Sequence, residues 1–349
     1  MKRAAVAAFA GALTGLRLVA APAEIGLPTA NRALLEGRPE DFYQFVDREI
    51  EGVKSTPWEG GAFGFVRDQR ITQGRTVFRR FHEGVDIKPV ERDAKGIPRD
   101  AINAIADGVV AYVSLLPGAS NYGRYVVVEH RWEGCSYLSL YAHLAAIDVK
   151  PGEPVAIGQR LGLLGWSGDG IDLRRAHVHL ELNLFLHSEF VGWHNKHFRN
   201  DGPSKNAFNG LNLAGINVAE FFLQRQKNPN LTIAEFIQSQ PVAFRVAVPG
   251  DARLELKGRY PWMLAKEESG PSWEISFTAS GLPVRIARYA VAVSSPVLTW
   301  VKPVDIPLAW ATKDLVTDSG HGARLSEAGL RMLDLIAPTA GAPAAAVGR

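Results

Sequence analysis

The sequence predicts a mainly β protein of antiparallel sheets, with short helical segments and a second, smaller β-rich module toward the C-terminus. Three observations carry this. The run Ala176-His177-Val178-His179-Leu180-Glu181-Leu182 alternates polar and apolar residues with the period of a strand. The stretches 124–130 and 135–141 read as two strands closed into a hairpin by Trp132-Glu133-Gly134. Between about residues 60 and 190, strand patterns and glycine-rich turns follow one another so closely that no helix is needed.

In chain order, Met1-Lys2-Arg3, the apolar run Ala4 to Gly15 and Ala21-Pro22-Ala23 have the layout of a cleavable export signal over residues 1–23. The whole chain carries a net charge of +3, and Lys2, Arg3 and Arg17 account for it, so the remainder is formally neutral. That balance gives no support to nucleic-acid binding or to a polybasic membrane surface, and no later run is long and apolar enough for a transmembrane helix. Residues 24–55 read as a helical lead-in, with Pro39 near a helix start and Phe42, Phe45, Val46 and Ile50 at helical spacing. The single cysteine, Cys135, forms no intrachain disulfide and reads as a small buried hydrophobe.

Residues 56–199 form the expected main domain, and 200–240 a helical linker with helices over 216–226 and 233–240. From 241 to 337 short β patterns return, clearest at 253–257, 273–278 and 284–293, ending in a helix capped by Ser326. The Ala/Gly/Pro-rich stretch 338–349 reads as a disordered tail.

The chemistry gathers in two clusters. On the strand 176–182, His177, His179 and Glu181 share one face, and alternate residues stand about 6.6 to 7 Å apart. One imidazole can then hold a metal while the other reaches a ligand bound to it. A bare H-x-H pair is commonly two ordinary histidines, so a second cluster is needed to give it meaning. Phe81-His82-Glu83-Gly84-Val85-Asp86-Ile87 supplies one: in extended form His82, Gly84 and Asp86 share a face, with no side chain at Gly84 where a metal would sit. His82, Asp86 and His179 together make an imidazole, carboxylate, imidazole set, the composition of catalytic zinc sites that leave a position open for water.

Six blocks carry a resemblance. Phe81-His82-Glu83-Gly84-Val85-Asp86, Ala106-Asp107-Gly108-Val109-Val110, Tyr122 to His130, Tyr141-Ala142-His143-Leu144, Gly158-Gln159-Arg160-Leu161-Gly162 and Ala176 to Glu181 resemble, in order, the lysostaphin-type zinc endopeptidases of bacterial cell walls. The resemblance implies an antiparallel β-sheet catalytic domain with a groove and one zinc at His82, Asp86 and His179. It also implies catalytic histidines at His143 and His177, and peptidoglycan peptides as substrate in the periplasm or cell envelope. The family's usual Gly-Pro ahead of the H-x-H is here Arg174-Arg175-Ala176, which bears on substrate choice.

Several points stay open at this level. Which of His143 and His177 acts as base, which peptide bond is cut, and the oligomeric state are not readable. Glu181 fits either a partner of the histidines or a solvated carboxylate. Arg174 and Arg175 could meet a substrate carboxylate or simply be solvated. Trp166, Tyr122 and Trp193 could line a groove or pack. His130, His187, His194, His197 and His321 have no matching blocks and read as structural. The competing function is a catalytically silent relative that binds wall and regulates another hydrolase; a carboxypeptidase with the H-x6-D spacing is disfavoured because only three residues separate His82 from Asp86.

Overall fold

The computed structural model describes residues 23–199, 206–266 and 269–339. The expected leader, save Ala23, and most of the expected tail lie outside these residues, as does 200–205. The lead-in departs from expectation. Its only helix is α1 (Pro39–Phe42), and Tyr43 then turns extended and bridges Ile87, with the Gln44 N–H donating to the Asp86 carbonyl at 2.7 Å. Phe42 and Tyr43 are both buried, and the pairing of Tyr43 with Ile87 draws the backbone out of the helix. Beyond them β1 (Arg48–Ile50) and β2 (Val53–Ser55) form a hairpin across Glu51-Gly52, both at positive φ as a type I′ turn requires.

The long hairpin β3 (Gly64–Thr72) and β4 (Arg75–His82) turns at Gln73-Gly74, again with both φ positive, and feeds β5 (Val85–Ile87). The main sheet is wholly antiparallel. It is built from β7 (Gly108–Ser114), β8 (Tyr125–Trp132), β9 (Cys135–Ala142), β11 (Pro154–Val155), β13 (Val178–Phe185) and β14 (Leu213–Gly215) in the order β11-β7-β8-β9-β13-β14, and β5 also pairs with β13. A smaller sheet of β6 (Ala101–Asn103), β10 (Ala146–Ile147) and β12 (Arg160–Leu163) flanks it. The expected hairpin closes at Glu133-Gly134, whose φ angles of 53° and 78° define the tight turn.

Strand β13 is buried on both faces. Val178, Leu180, Leu182 and Leu184 enter the principal core, each burial contributing about 1.5–3 kcal/mol, while His179, Glu181 and Asn183 occupy the opposite face. The alternation read from the sequence therefore separates an apolar core from a buried polar layer.

Helix α2 (Phe190–His197) follows, then β14, α3 (Val218–Lys227) and α4 (Ile233–Gln238). The two helices expected at 216–240 are present, but this stretch is no free linker: β14 extends the main sheet, and α3 buries Phe221 and Phe222 in the same core. The C-terminal third is a four-stranded antiparallel sheet of β15 (Phe244–Val248), β16 (Ser272–Phe277), β17 (Pro283–Tyr289) and β18 (Val297–Val301), in the order β17-β16-β15-β18. The strand expected at 253–257 is instead largely α5 (Glu255–Arg259), which follows the Pro249-Gly250-Asp251 turn, buries Leu256 and ends where the Tyr260 N–H donates to the Leu256 carbonyl at 2.8 Å. Helix α6 (Leu308–Ala311) precedes the hairpin β19 (Val316–Ser319) and β20 (Gly322–Leu325), and α7 (Glu327–Ile336) closes the fold with the Ser326 hydroxyl capping the Gly329 N–H. This module is bonded to the main sheet: the Phe185 N–H donates to Tyr260 Oη at 2.8 Å, Trp262 Nε1 to Tyr137 Oη at 2.9 Å, and Lys313 pairs with Glu83 at 2.6 Å.

Candidate metal centre

Three strands set the centre. Antiparallel pairing puts His179 directly opposite Asp86 on one side and Ala142 on the other, so the imidazole and the carboxylate share a face. His82, the last residue of β4, reaches the same point. Gly84 makes the approach possible: a Cβ there would stand 2.5 Å from the Leu180 carbonyl and 2.8 Å from the His179 ring. His82 Nε2 lies 3.1 Å from His179 Nδ1 and 3.1 Å from Asp86 Oδ1, and His179 Nδ1 lies 2.9 Å from Asp86 Oδ1.

These three atoms fit a zinc. Donors held tetrahedrally at 2.0–2.1 Å stand roughly 3.3 Å apart, close to the observed triangle. The outer nitrogen of each histidine is occupied: His82 Nδ1–H donates to the Ala62 carbonyl at 2.9 Å and His179 Nε2–H to Glu181 Oε1 at 2.8 Å. Both lone pairs thus face inward, as a metal requires. The electrostatics agree. Burial disfavours a charged Asp86, yet His177, His82 and Arg67 hold its carboxyl well below the usual range. Burial also opposes charge on His179, but its hydrogen bonds to the Asp86 and Glu181 carboxylates prevail and raise it to about 9. The carboxylates around His179 thus favour positive charge there. His82 moves the other way, lowered chiefly by burial.

His143 and His177 sit beside this triangle. Their rings are edge-on at 4.7 Å, and the His143 and His179 rings are 5.9 Å apart. His143 Nδ1–H donates to the Ser167 carbonyl at 2.8 Å and His177 Nδ1–H to the Arg175 carbonyl at 2.6 Å. Each Nε2 is left as a proton acceptor, and His177 Nε2 lies 3.3 Å from Asp86 Oδ1. His143 has φ +64°, a conformation costly for a non-glycine residue and held by its N–H bond to the Tyr122 carbonyl. Burial, then the neighbouring charges of His177 and His179, hold its imidazole well below the usual value. The structure thus brings together all five residues singled out in the sequence, each with at most 7% of its surface exposed.

Sequence reasoning missed Arg67. A bulge in β3 between Phe65 and Arg67 lets the guanidinium donate from Nη2 to Asp86 Oδ2 at 2.5 Å and from Nε to the Gly60 carbonyl at 2.9 Å. It occupies the carboxylate oxygen that the triangle leaves over. Nothing in the local pattern marks it, because the contact depends on the bulge. Glu181 is a buried partner of the histidines: it also accepts from Tyr122 Oη at 2.7 Å and from Asn183 Nδ2 at 3.1 Å. The remaining histidines lie elsewhere. His130 stacks on Trp132 and bonds to the Asp107 carbonyl and Ser139 Oγ, while His197 pairs with Asp334 on α7.

Residues 80–190, which hold the five residues and Gly84, match the sequence model described as "Peptidase family M23". The match is to the lysostaphin-type M23 peptidase domain. An uncharacterized metalloprotease of Buchnera aphidicola is 30% identical over 141 residues, 40% of this chain and 32% of that protein. The peptidoglycan DD-endopeptidase ShyA of Vibrio cholerae is 42% identical over 76 residues, 22% of this chain and 16% of that protein. The chain thus spans about a third or less of these relatives. The catalytic domain of lysostaphin from Staphylococcus simulans is 22% identical, covering 35% of this chain and 75% of its own, with a TM-score of 0.24. Arg67 and the whole C-terminal module fall outside the M23 match.

Proposed function

We propose that the chain is a zinc-dependent endopeptidase that hydrolyses peptide bonds in the cross-links or stem peptides of bacterial peptidoglycan, with one zinc per chain. The observation that carries this reading is the triangle of three inward-facing donor atoms with the Nε2 atoms of His143 and His177 beside it, the latter 3.3 Å from Asp86 Oδ1. His82, Asp86 and His179 would hold the zinc, with Arg67 and Glu181 fixing the orientation of Asp86 and His179. Bound there, zinc supplies Lewis acidity, lowering the pKa of water and polarising a carbonyl. His143 and His177, each anchored through Nδ1, offer Nε2 as the place where a proton is taken up and returned, and where developing negative charge is met once protonated. The peptidoglycan substrate is supported by the M23 domain and by the activity named for the Vibrio cholerae relative. Digestion of purified sacculi with mass analysis of released muropeptides tests it: new peptide ends are expected, and intact sacculi in the presence of full zinc would overturn it.

A second reading, a silent relative that binds wall and regulates another hydrolase, draws on the deep burial of all five side chains. Binding to sacculi without release of peptide is its signature. Export to the periplasm or envelope belongs to the same proposal. It rests on the Lys2-Arg3 start and the Ala21-Pro22-Ala23 site, and sequencing of the exported protein should find Glu24 at its start. Among the described residues no helix is long and apolar enough to cross a membrane.

A further inference from the structure

The turn that leads into β13 presents two neighbouring arginines in different circumstances. Arg174 is satisfied, with its Nη2 2.5 Å from Asp47 Oδ2 and its guanidinium 5.3 Å above the Phe45 ring. Arg175 is not. Its backbone carbonyl is tied to the centre by the His177 Nδ1–H bond, yet among the described residues no carboxylate pairs with its guanidinium. Its one side-chain bond is a long 3.4 Å contact from Nη1 to the Gly170 carbonyl, and its Nε is buried without an acceptor. Asp172, the nearest acid in sequence, is engaged instead with the Arg175 backbone N–H at 2.9 Å.

The lead-in on the same flank shows the same lack. Gln44 is 2% exposed and donates its N–H to the Asp86 carbonyl, while its side-chain Nε2 is buried with no acceptor. Contacts of Arg174 with Phe45 and Asp47 bind the two segments together. Two segments that bond to the centre, through the Arg175 carbonyl and the Gln44 N–H, thus each carry a buried donor without an acceptor. A half-buried guanidinium lacking a counter-charge is costly unless a ligand supplies one.

We propose that Arg175 is a specificity-determining residue that receives a free carboxylate carried by the substrate beside the scissile peptide bond. This rests on the peptidase reading and narrows its substrate class to peptides acidic at that position. A planar guanidinium suits a carboxylate through paired N–H bonds, and the carbonyl of the same residue accepts the His177 Nδ1–H bond.

The test uses two synthetic peptides, identical but for a free carboxylate or its carboxamide on the residue beside the scissile bond. Calorimetric binding to the zinc-loaded full chain should favour the carboxylate by about 10- to 100-fold. Arg175→Ala should make the two affinities nearly equal, Arg175→Lys should keep part of the difference, and Arg174→Ala should keep all of it. Zinc content checks that each variant is folded, and the lysine variant carries the test if the alanine one is not. Equal binding by the wild type, or a preference that survives Arg175→Ala, overturns the inference. Arg175-dependent binding without release of peptide from sacculi would leave it standing and overturn the hydrolase reading; cleavage with no carboxylate preference would do the reverse.

Discussion

The two halves of the centre are held in place by different chemistry. Asp86 and His179 are backed by charge, Arg67 on the outer oxygen of Asp86 and Glu181 on the outer nitrogen of His179, while His82 rests on the neutral Ala62 carbonyl. His143 and His177 are each anchored at Nδ1 by a neutral backbone carbonyl, those of Ser167 and Arg175, and His177 Nε2 stands 3.3 Å from Asp86 Oδ1. Charged neighbours orient Asp86 and His179 so that they converge with His82. The Nδ1 bonds to carbonyls orient the rings of His143 and His177. On the proposed reading the contrast separates holding a metal from moving a proton, and each half should fail in its own way.

The largest effect is expected from the triangle. Asp86→Ala or His179→Ala should lose the zinc and all measurable activity, and elemental analysis showing full zinc in both variants would break the assignment. Next, His143→Ala and His177→Ala should keep zinc while kcat on cross-linked peptides falls by about 10²- to 10⁴-fold. If they lose zinc instead, the two halves are one unit. A smaller loss should follow from the groups behind the ligands: Arg67→Ala or Glu181→Ala should weaken zinc binding by about 10- to 100-fold, measured by chelator competition.

The smallest effect extends the contrast to a histidine far from the centre. His130 is also oriented by neutral partners, the Asp107 carbonyl and Ser139 Oγ, and burial lowers it to about 4, with Asp107 and Glu129 only partly opposing. Between its ordinary pKa of 6.5 and about 4 the unfolded chain binds a proton that the folded chain does not. Its contribution is thus complete above pH 6.5 and is lost as the pH falls toward 4, by at most about 1.4 kcal/mol per pH unit. Urea denaturation at pH 7 and pH 5 should show that slope in the wild type and a flatter one in His130→Gln.

The features legible in the sequence were those written in local period and turn chemistry. The alternation of β13, the glycine between His82 and Asp86, and the Glu133-Gly134 turn each dictate geometry within a few residues, and antiparallel pairing does the rest. What was not legible depends on partners distant in the chain. The lead-in has apolar residues at helical spacing, yet its backbone is drawn out to bridge β5, where Gly61 packs so closely that a Cβ would lie 2.3 Å from the Gln44 carbonyl. The helix at 255–259 was misread because its few residues carry too little period to distinguish it from a strand. Arg67 escaped because a bulge shifts its register, whereas for Glu181 the sequence leaves a partner of the histidines and a solvated carboxylate equally open, and its tyrosine, histidine and asparagine partners decide for the former.

The ion pair between Glu83 and Lys313 links the residue after a candidate metal ligand to the last part of the chain, and Arg75 and Asp305, 230 residues apart, tie the hairpin that ends at His82 to the same region. A ribosome delivers the N-terminal partner of each pair long before the other. These two ties near His82 therefore wait until Asp305 and Lys313 have been made. Contacts of such long range are slow to form.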